Sequence, residues 1–135
     1  MKTLAQLENE LNVKVLEHLD REAAVPVVAK AACQGDVSIL RVTKNVATNV
    51  VPAAGVAVVQ GENGGNTHSL HGDGQIFWDV AAERDGSLLL GRLTVPVGSE
   101  AFLLHPEHGG MQISPGTYEI GRQREYAGEW RMVAD

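Results

Sequence analysis

The hydrophobic period of this chain changes once, close to residue 24, and that change separates two kinds of structure. Before it, apolar residues recur at spacings of three and four, which places them on one side of an α-helix. They are Leu4, Leu7, Leu11, Val15 and Leu19. The pattern predicts an amphipathic helix over Thr3–Ala23, with Thr3 and Gln6 forming a capping box at its start. Pro26 requires the helix to end before it.

After Pro26 the chain is typical of short strands separated by turns. Apolar and β-branched runs of three to ten residues alternate with Gly-, Asn-, Asp- and Pro-containing segments. The predicted strands are 25–29, 35–42, 56–59, 67–70, 75–82, 87–95, 100–104, 111–113, 117–126 and 130–133. This spacing predicts a mainly β fold, a small closed or partly open β-barrel or sandwich. We expect one domain over residues 1–135, with an N-terminal helix (2–23) and a β-barrel-like body (25–135).

Composition narrows the class of function. The 135 residues have a formal net charge of -6, which makes nucleic acid an unlikely partner. No apolar run is long enough to span a membrane, and the start of the chain lacks a secretory signal. The single cysteine, Cys33, is expected to be a buried, inert thiol in a reducing compartment. We therefore expect a cytoplasmic protein.

Four of the five histidines form two pairs of equal spacing, His68/His71 and His105/His108. Residues three apart on a strand point to opposite faces, so the first pair is not expected to share a ligand. Pro106 favours a turn that points His105 and His108 the same way. Both pairs lie beside glycine-rich turns that one rim of a barrel could bring together.

Neutral imidazole is a common ligand of divalent transition metals, and three histidines suffice for an open site. His68, His105 and His108 are the candidate metal ligands, with Glu107 or Glu62 as the carboxylate. The same three histidines are candidate catalytic acid–base groups. The alternative is that they hydrogen-bond loop backbone or line an interface.

A second cluster of polar residues follows Thr117. Alternation along a strand places Tyr118, Ile120, Arg122, Arg124 and Tyr126 on one face. Arg122 and Arg124 could bind a phosphate or a carboxylate, or stack on a base. In the simpler interpretation, which we favour here, these arginines pair with carboxylates on their own or a neighbouring strand.

Several motifs together resemble an uncharacterised family of small bacterial and phage-associated proteins. They are Gln34-Gly35-Asp36-Val37, Gly61-Glu62, Thr67-His68-Ser69-Leu70, His105-Pro106-Glu107-His108-Gly109, Pro115-Gly116-Thr117-Tyr118-Glu119-Ile120 and Arg122-Gln123-Arg124-Glu125-Tyr126. The resemblance covers about residues 33 to 135 and does not include the helix. His68, His105 and His108 match the family pattern, whereas Asn66 stands where the pattern often has a histidine. The resemblance implies a shared site at these residues and no particular activity.

Two classes of function fit this sequence. We favour a small accessory or interaction protein with a His-lined site, non-catalytic or metal-binding, and a phage structural protein is a variant of that class. The alternative is a metal-dependent or acid–base enzyme acting on an anionic, nucleotide-like or RNA-like substrate. The first class predicts a homo-oligomer that forms through the N-terminal helix, or another protein partner.

Overall fold

The computed structural model describes residues 2–11, 24–59, 67–81 and 88–122, and the main chain of 124–126 and 130–132. The elements in chain order are α1 (Leu4–Leu11), β1 (Val27–Val28), β2 (Ala31–Gln34), β3 (Val37–Val42), β4 (Val56–Val59), β5 (His68–Asp73), β6 (Phe77–Val80), β7 (Leu89–Val95), β8 (Glu100–His105), β9 (Gly109–Ile113), β10 (Gly116–Arg122), β11 (Arg124–Tyr126) and β12 (Trp130–Met132).

Ten of these strands form two five-stranded sheets. Sheet A has the order β1-β9-β8-β5-β4, and sheet B has the order β2-β3-β10-β7-β6. The described strands do not close into a barrel, so of the two predicted arrangements the protein has the partly open β-sandwich. β11 and β12 pair only with each other in the described chain.

The core lies between the two sheets and is aliphatic. The inward-facing positions of both sheets are buried, and they include Val37, Ile39, Leu70, Leu93, Leu103, Ile113, Tyr118 and Ile120. Trp78 also belongs to this cluster. Complete burial of one such side chain stabilises the fold by about 1.5–3 kcal/mol.

α1 covers the outer face of sheet A. Leu4 and Leu7 are buried against Val25, Phe102 and Leu104, and Leu11 packs beside them. The predicted capping box is confirmed, because the Thr3 hydroxyl accepts the Gln6 amide while the Gln6 side chain accepts the Thr3 amide. The rest of the predicted helix, 12–23, lies outside the described residues. The described half of the apolar stripe is thus buried within the protomer, and the oligomer contact stays a prediction.

Two predictions about the strands need correction. The predicted strands do not include residues 30–34, but β2 forms there. Its residues Ala31, Ala32 and Gln34 have little strand propensity, and β3 pairs with them from Ala31↔Leu40 to Gln34↔Val37. Cys33 lies on this strand and is exposed, not buried. No helix in the described ranges is long and apolar enough to cross a membrane.

Candidate functional site

The interior of the sandwich changes from apolar to polar at one end. In sheet A, the buried positions Leu103 and Leu70 are followed toward this end by His105 and His68. In sheet B, Arg122 lies opposite Val37, whose side chain is fully buried, so Arg122 is also on the inner face. Gln34, at the end of β2, and Asp36, in the connection between β2 and β3, are also buried at this end. We call these residues, together with Glu107 and His108, the polar end.

Three imidazole rings of the polar end lie together. His68 begins β5 and His105 ends β8, and their ring centroids are 4.2 Å apart. His108 lies in the β8–β9 turn, with its ring 4.4 Å from that of His105 and 6.2 Å from that of His68. His68 and His105 are buried, whereas His108 is exposed. Only His108 of the three presents its ring to solvent.

His105 organises the turn that carries His108. Its Nδ1 atom accepts hydrogen bonds from the backbone amides of Glu107 at 3.1 Å and His108 at 3.2 Å. An imidazole nitrogen that accepts hydrogen bonds carries no proton, so the neutral ring of His105 has its proton on Nε2. The turn predicted at Pro106 is therefore held by the buried histidine that precedes it.

Gln34 links the two sheets at this end. Its side-chain nitrogen donates to the carbonyl oxygens of Leu103 at 3.1 Å and Gly109 at 3.4 Å, both in sheet A. The main-chain carbonyl oxygen of Gln34 lies 3.1 Å from Nε2 of His68. Because a carbonyl only accepts, His68 is the donor, and its neutral ring also carries the proton on Nε2.

Asp36 and Arg122 form the charged part of the polar end. Asp36 follows Gly35, whose φ of 59° gives the tight turn between β2 and β3. Oδ2 of Asp36 is 4.0 Å from Nε of Arg122. The Asp36 side chain is 3% exposed and the Arg122 side chain 34% exposed, so the carboxylate lies inside and the guanidinium at the opening.

Glu107 is the further predicted site residue that the described part of the chain places in the polar end. Glu107 is in the His105–His108 turn but exposed, and Glu62 lies outside the described residues. Arg124 begins β11, which pairs with β12 rather than with the sandwich, and its side chain lies outside the described part of the chain. The single predicted strand 117–126 is therefore β10 and β11 in the structure.

His71 is separate from the cluster, as strand alternation predicts. Its Nε2 lies 2.9 Å from Oγ of Ser69. A Cβ atom at Gly55 would come within 2.5 Å of its Nδ1, so the turn that ends at Gly55 packs directly on the ring. Burial lowers the pKa of His71 below its usual value. His71 therefore contributes to packing and not to the three-ring cluster.

The metal interpretation has no support from this geometry. Within the described ranges, no three His, Cys, Asp or Glu side chains are placed to hold one metal ion. The hydrogen bonds of His105 explain why this ring is not placed to bind a metal ion. A metal ligand needs the lone pair of an unprotonated nitrogen. Its Nδ1 lone pair already accepts two amides, and its Nε2 carries the proton.

Sequence reasoning missed Gln34, which connects the two sheets at this end, and Asp36, which pairs with Arg122. Their position in the motif Gln34-Gly35-Asp36-Val37 was part of the family resemblance, and the buried polar pair around a turn glycine is what that motif builds. A glutamine and an aspartate beside a glycine are common in exposed turns, so the local sequence alone does not indicate burial.

Fold and site together define a two-sheet β protein with a histidine-lined polar end. The chain belongs to the family described as a domain of unknown function, DUF8820, whose model matches residues 33–123. The matched region begins at β2 and includes every residue of the polar end, whereas α1 and Arg124 lie outside it. No curated protein and no solved structure matches the chain significantly.

Proposed function

We propose that this protein is a non-catalytic accessory protein that binds a ligand through the polar end of its sandwich. The observation that carries the proposal is that the buried and the exposed histidines have different roles. Buried His105 holds the amides of the turn, and the turn presents the exposed ring of His108. Buried Gln34 and His68 join the two sheets behind it.

The burial of these polar groups supports a binding role for the polar end. Gln34, Asp36, His68 and His105 are each no more than 3% exposed. A buried polar side chain costs free energy unless its hydrogen bonds are made. Apolar residues at this end would avoid that cost. The polar residues are explained if a ligand contacts the members that reach the surface, which are His108, Arg122 and Glu107.

Acid–base catalysis is the less favoured function. A general base must exchange a proton at a nitrogen that faces the substrate. Nδ1 of His105 accepts two backbone amides, and Nε2 of His68 donates to a carbonyl. These nitrogens position main chain, which leaves His108 as the ring of the three that a substrate would reach.

A thermal-shift screen with a defined panel tests this function. The panel contains Zn²⁺, Ni²⁺, Mn²⁺, inorganic phosphate, acetate, nucleoside monophosphates and short acidic and basic peptides. We expect at least one compound to stabilise the natural protein, since a ligand that binds the folded state raises the unfolding midpoint. The same compound should have a much smaller effect on His108→Ala.

Gln75→Ala is the matched control for this screen. Gln75 is exposed and follows β5 at the end opposite to His68, so its removal should leave every shift unchanged. A panel in which no compound stabilises the natural protein, or in which both variants lose the shift equally, would refute binding at the polar end.

A further inference from the structure

The guanidinium of the polar end indicates the class of ligand. We infer that it is an oxyanion of the phosphate class, held between the guanidinium of Arg122 and the turn that carries His108. This inference rests on the proposed function and adds the chemistry of the ligand.

Arg122 is the cation of this site, and Asp36 orients it from inside. The ion pair joins Oδ2 of Asp36 to Nε of Arg122 at 4.0 Å. Phosphate groups are recognised by the planar fork of guanidinium donors, which is most effective when the arginine is held in one orientation. A buried carboxylate behind a guanidinium that is 34% exposed supplies that hold.

The turn around Gln34 places the histidine cluster beside this arginine. Gln34 contacts the carbonyl of Gly109, the residue that follows His108, and Asp36 two residues later contacts Arg122. The segment Gln34–Asp36 therefore contacts both the main chain next to His108 and the side chain of Arg122. An anion that reaches both would bridge sheet A and sheet B.

The bonded nitrogens of the buried rings disfavour a metal ion. Nδ1 of His105 accepts two amides, so its neutral ring carries the proton on Nε2 and offers no lone pair, and Nε2 of His68 donates to the main-chain carbonyl of Gln34. Arg122 repels a cation and attracts an oxyanion. Of the two carboxylates of the polar end, Asp36 is 3% exposed and faces Arg122, and Glu107 lies in the exposed turn.

A phosphate titration of the full chain, followed by ¹H–¹⁵N correlation spectra at constant ionic strength, tests the inference. We expect saturable shifts of the His108 and Gly109 amides with inorganic phosphate and smaller ones with acetate. The variant Arg122→Gln should weaken phosphate binding by about tenfold or more, the loss expected for one charge-assisted hydrogen bond. His108→Ala should weaken it as well, and since His108 is exposed that variant is expected to fold.

Arg92→Gln is the matched control. Arg92 also lies in sheet B, is 30% exposed and pairs with Glu119 at 3.1 Å, so it resembles Arg122 in exposure and in having a carboxylate partner. Binding that is equally weakened in Arg92→Gln would show a general charge effect and overturn the inference. So would shifts that do not saturate below about 50 mM phosphate, a dissociation constant too weak for a built site.

A titration with Zn²⁺ tests the alternative of a metal site. Binding of Zn²⁺ at micromolar concentration, lost in His105→Ala, would overturn the oxyanion inference in favour of a metal site. If phosphate fails while another compound of the thermal-shift panel needs His108, only the ligand class is wrong. If no compound of the panel binds, the proposed function fails too.

Discussion

Replacing His105 by alanine should destabilise the protein, and the structure allows the size of the effect to be estimated. The imidazole is 1% exposed and accepts two backbone amides, so its loss leaves two part-buried donors without this acceptor. Each such hydrogen bond contributes about 1 kcal/mol. Loss of the ring contacts at 4.2 and 4.4 Å adds about 1 kcal/mol. We expect the free energy of unfolding of His105→Ala to fall by about 3 kcal/mol.

Asparagine at the same position separates the two contributions. The amide oxygen of an asparagine at position 105 can occupy the place of Nδ1 and accept the turn amides, as in an Asx-turn, but it does not replace the ring. His105→Asn should therefore recover about 2 kcal/mol of the loss. The assay is equilibrium urea unfolding near pH 8, together with hydrogen exchange of the Glu107 and His108 amides.

Two results would refute this reasoning. The first is a loss in His105→Ala below about 1 kcal/mol, which would mean that the two amide bonds are not made in solution. The second is an equal loss in His105→Asn and His105→Ala, with equally fast exchange at both amides. His108→Ala is the control, and because that side chain is exposed it should change stability by less than about 0.5 kcal/mol.

Three further predictions concern parts of the fold away from the polar end. Gly91→Ala should destabilise by about 3 kcal/mol in thermal or urea unfolding, since the new Cβ would lie 2.5 Å from both the Asp79 carbonyl oxygen and the Trp78 ring. The pKa of Asp79 is lowered mainly by the backbone amide of Asn49, so this carboxylate stabilises the fold above its unfolded pKa, and the effect is lost as pH falls through the folded value. Asp79→Asn should thus lose part of the pH dependence of stability below about pH 4, measured by urea unfolding across that range. Leu7→Ala should cost about 3 kcal/mol because Leu7 is completely buried, and its unfolding midpoint should not depend on protein concentration if the leucine packs within one protomer.

Each of these has an outcome that would contradict it. Gly98 has no atom within 4 Å of the Cβ position, so Gly98→Ala, strained only by its φ of 92°, should be milder than Gly91→Ala. Unchanged acid sensitivity in Asp79→Asn would mean that its amide contacts are not made. A Leu7→Ala midpoint that rises with protein concentration would instead favour the predicted helix-mediated oligomer.

Local patterns predicted those elements whose formation depends on neighbours in sequence. The capping box at Thr3 and Gln6, the β4 strand and the turn around Pro106 all follow from a few adjacent residues. The turn also explains why the rings of His105 and His108 lie 4.4 Å apart. β5 was underestimated, because Gly72 and Asp73 are typical turn residues but extend the strand by pairing with Ala101 and Glu100.

The candidate site was only half predictable for a related reason. The histidines stand out by type and spacing, whereas Gln34 and Asp36 look like ordinary turn residues until the sheets are assembled. Arg122 and Arg124 looked equivalent on one alternating strand, yet the strand divides between them. β10 stays with the sandwich through Arg122, and β11 pairs with β12.

Sequence alone determined the mainly β class, the start of the helix and the two histidine pairs, because hydrophobic period and turn chemistry act over a few residues. Tertiary structure alone decided that His68 meets His105, through the antiparallel register of β5 and β8, in which Ser69 pairs with Leu104. It also decided that Gln34 reaches across from sheet B to the Leu103 carbonyl in sheet A. These contacts join residues more than 30 positions apart, and a period-two pattern says which face a residue occupies but not which strand lies opposite.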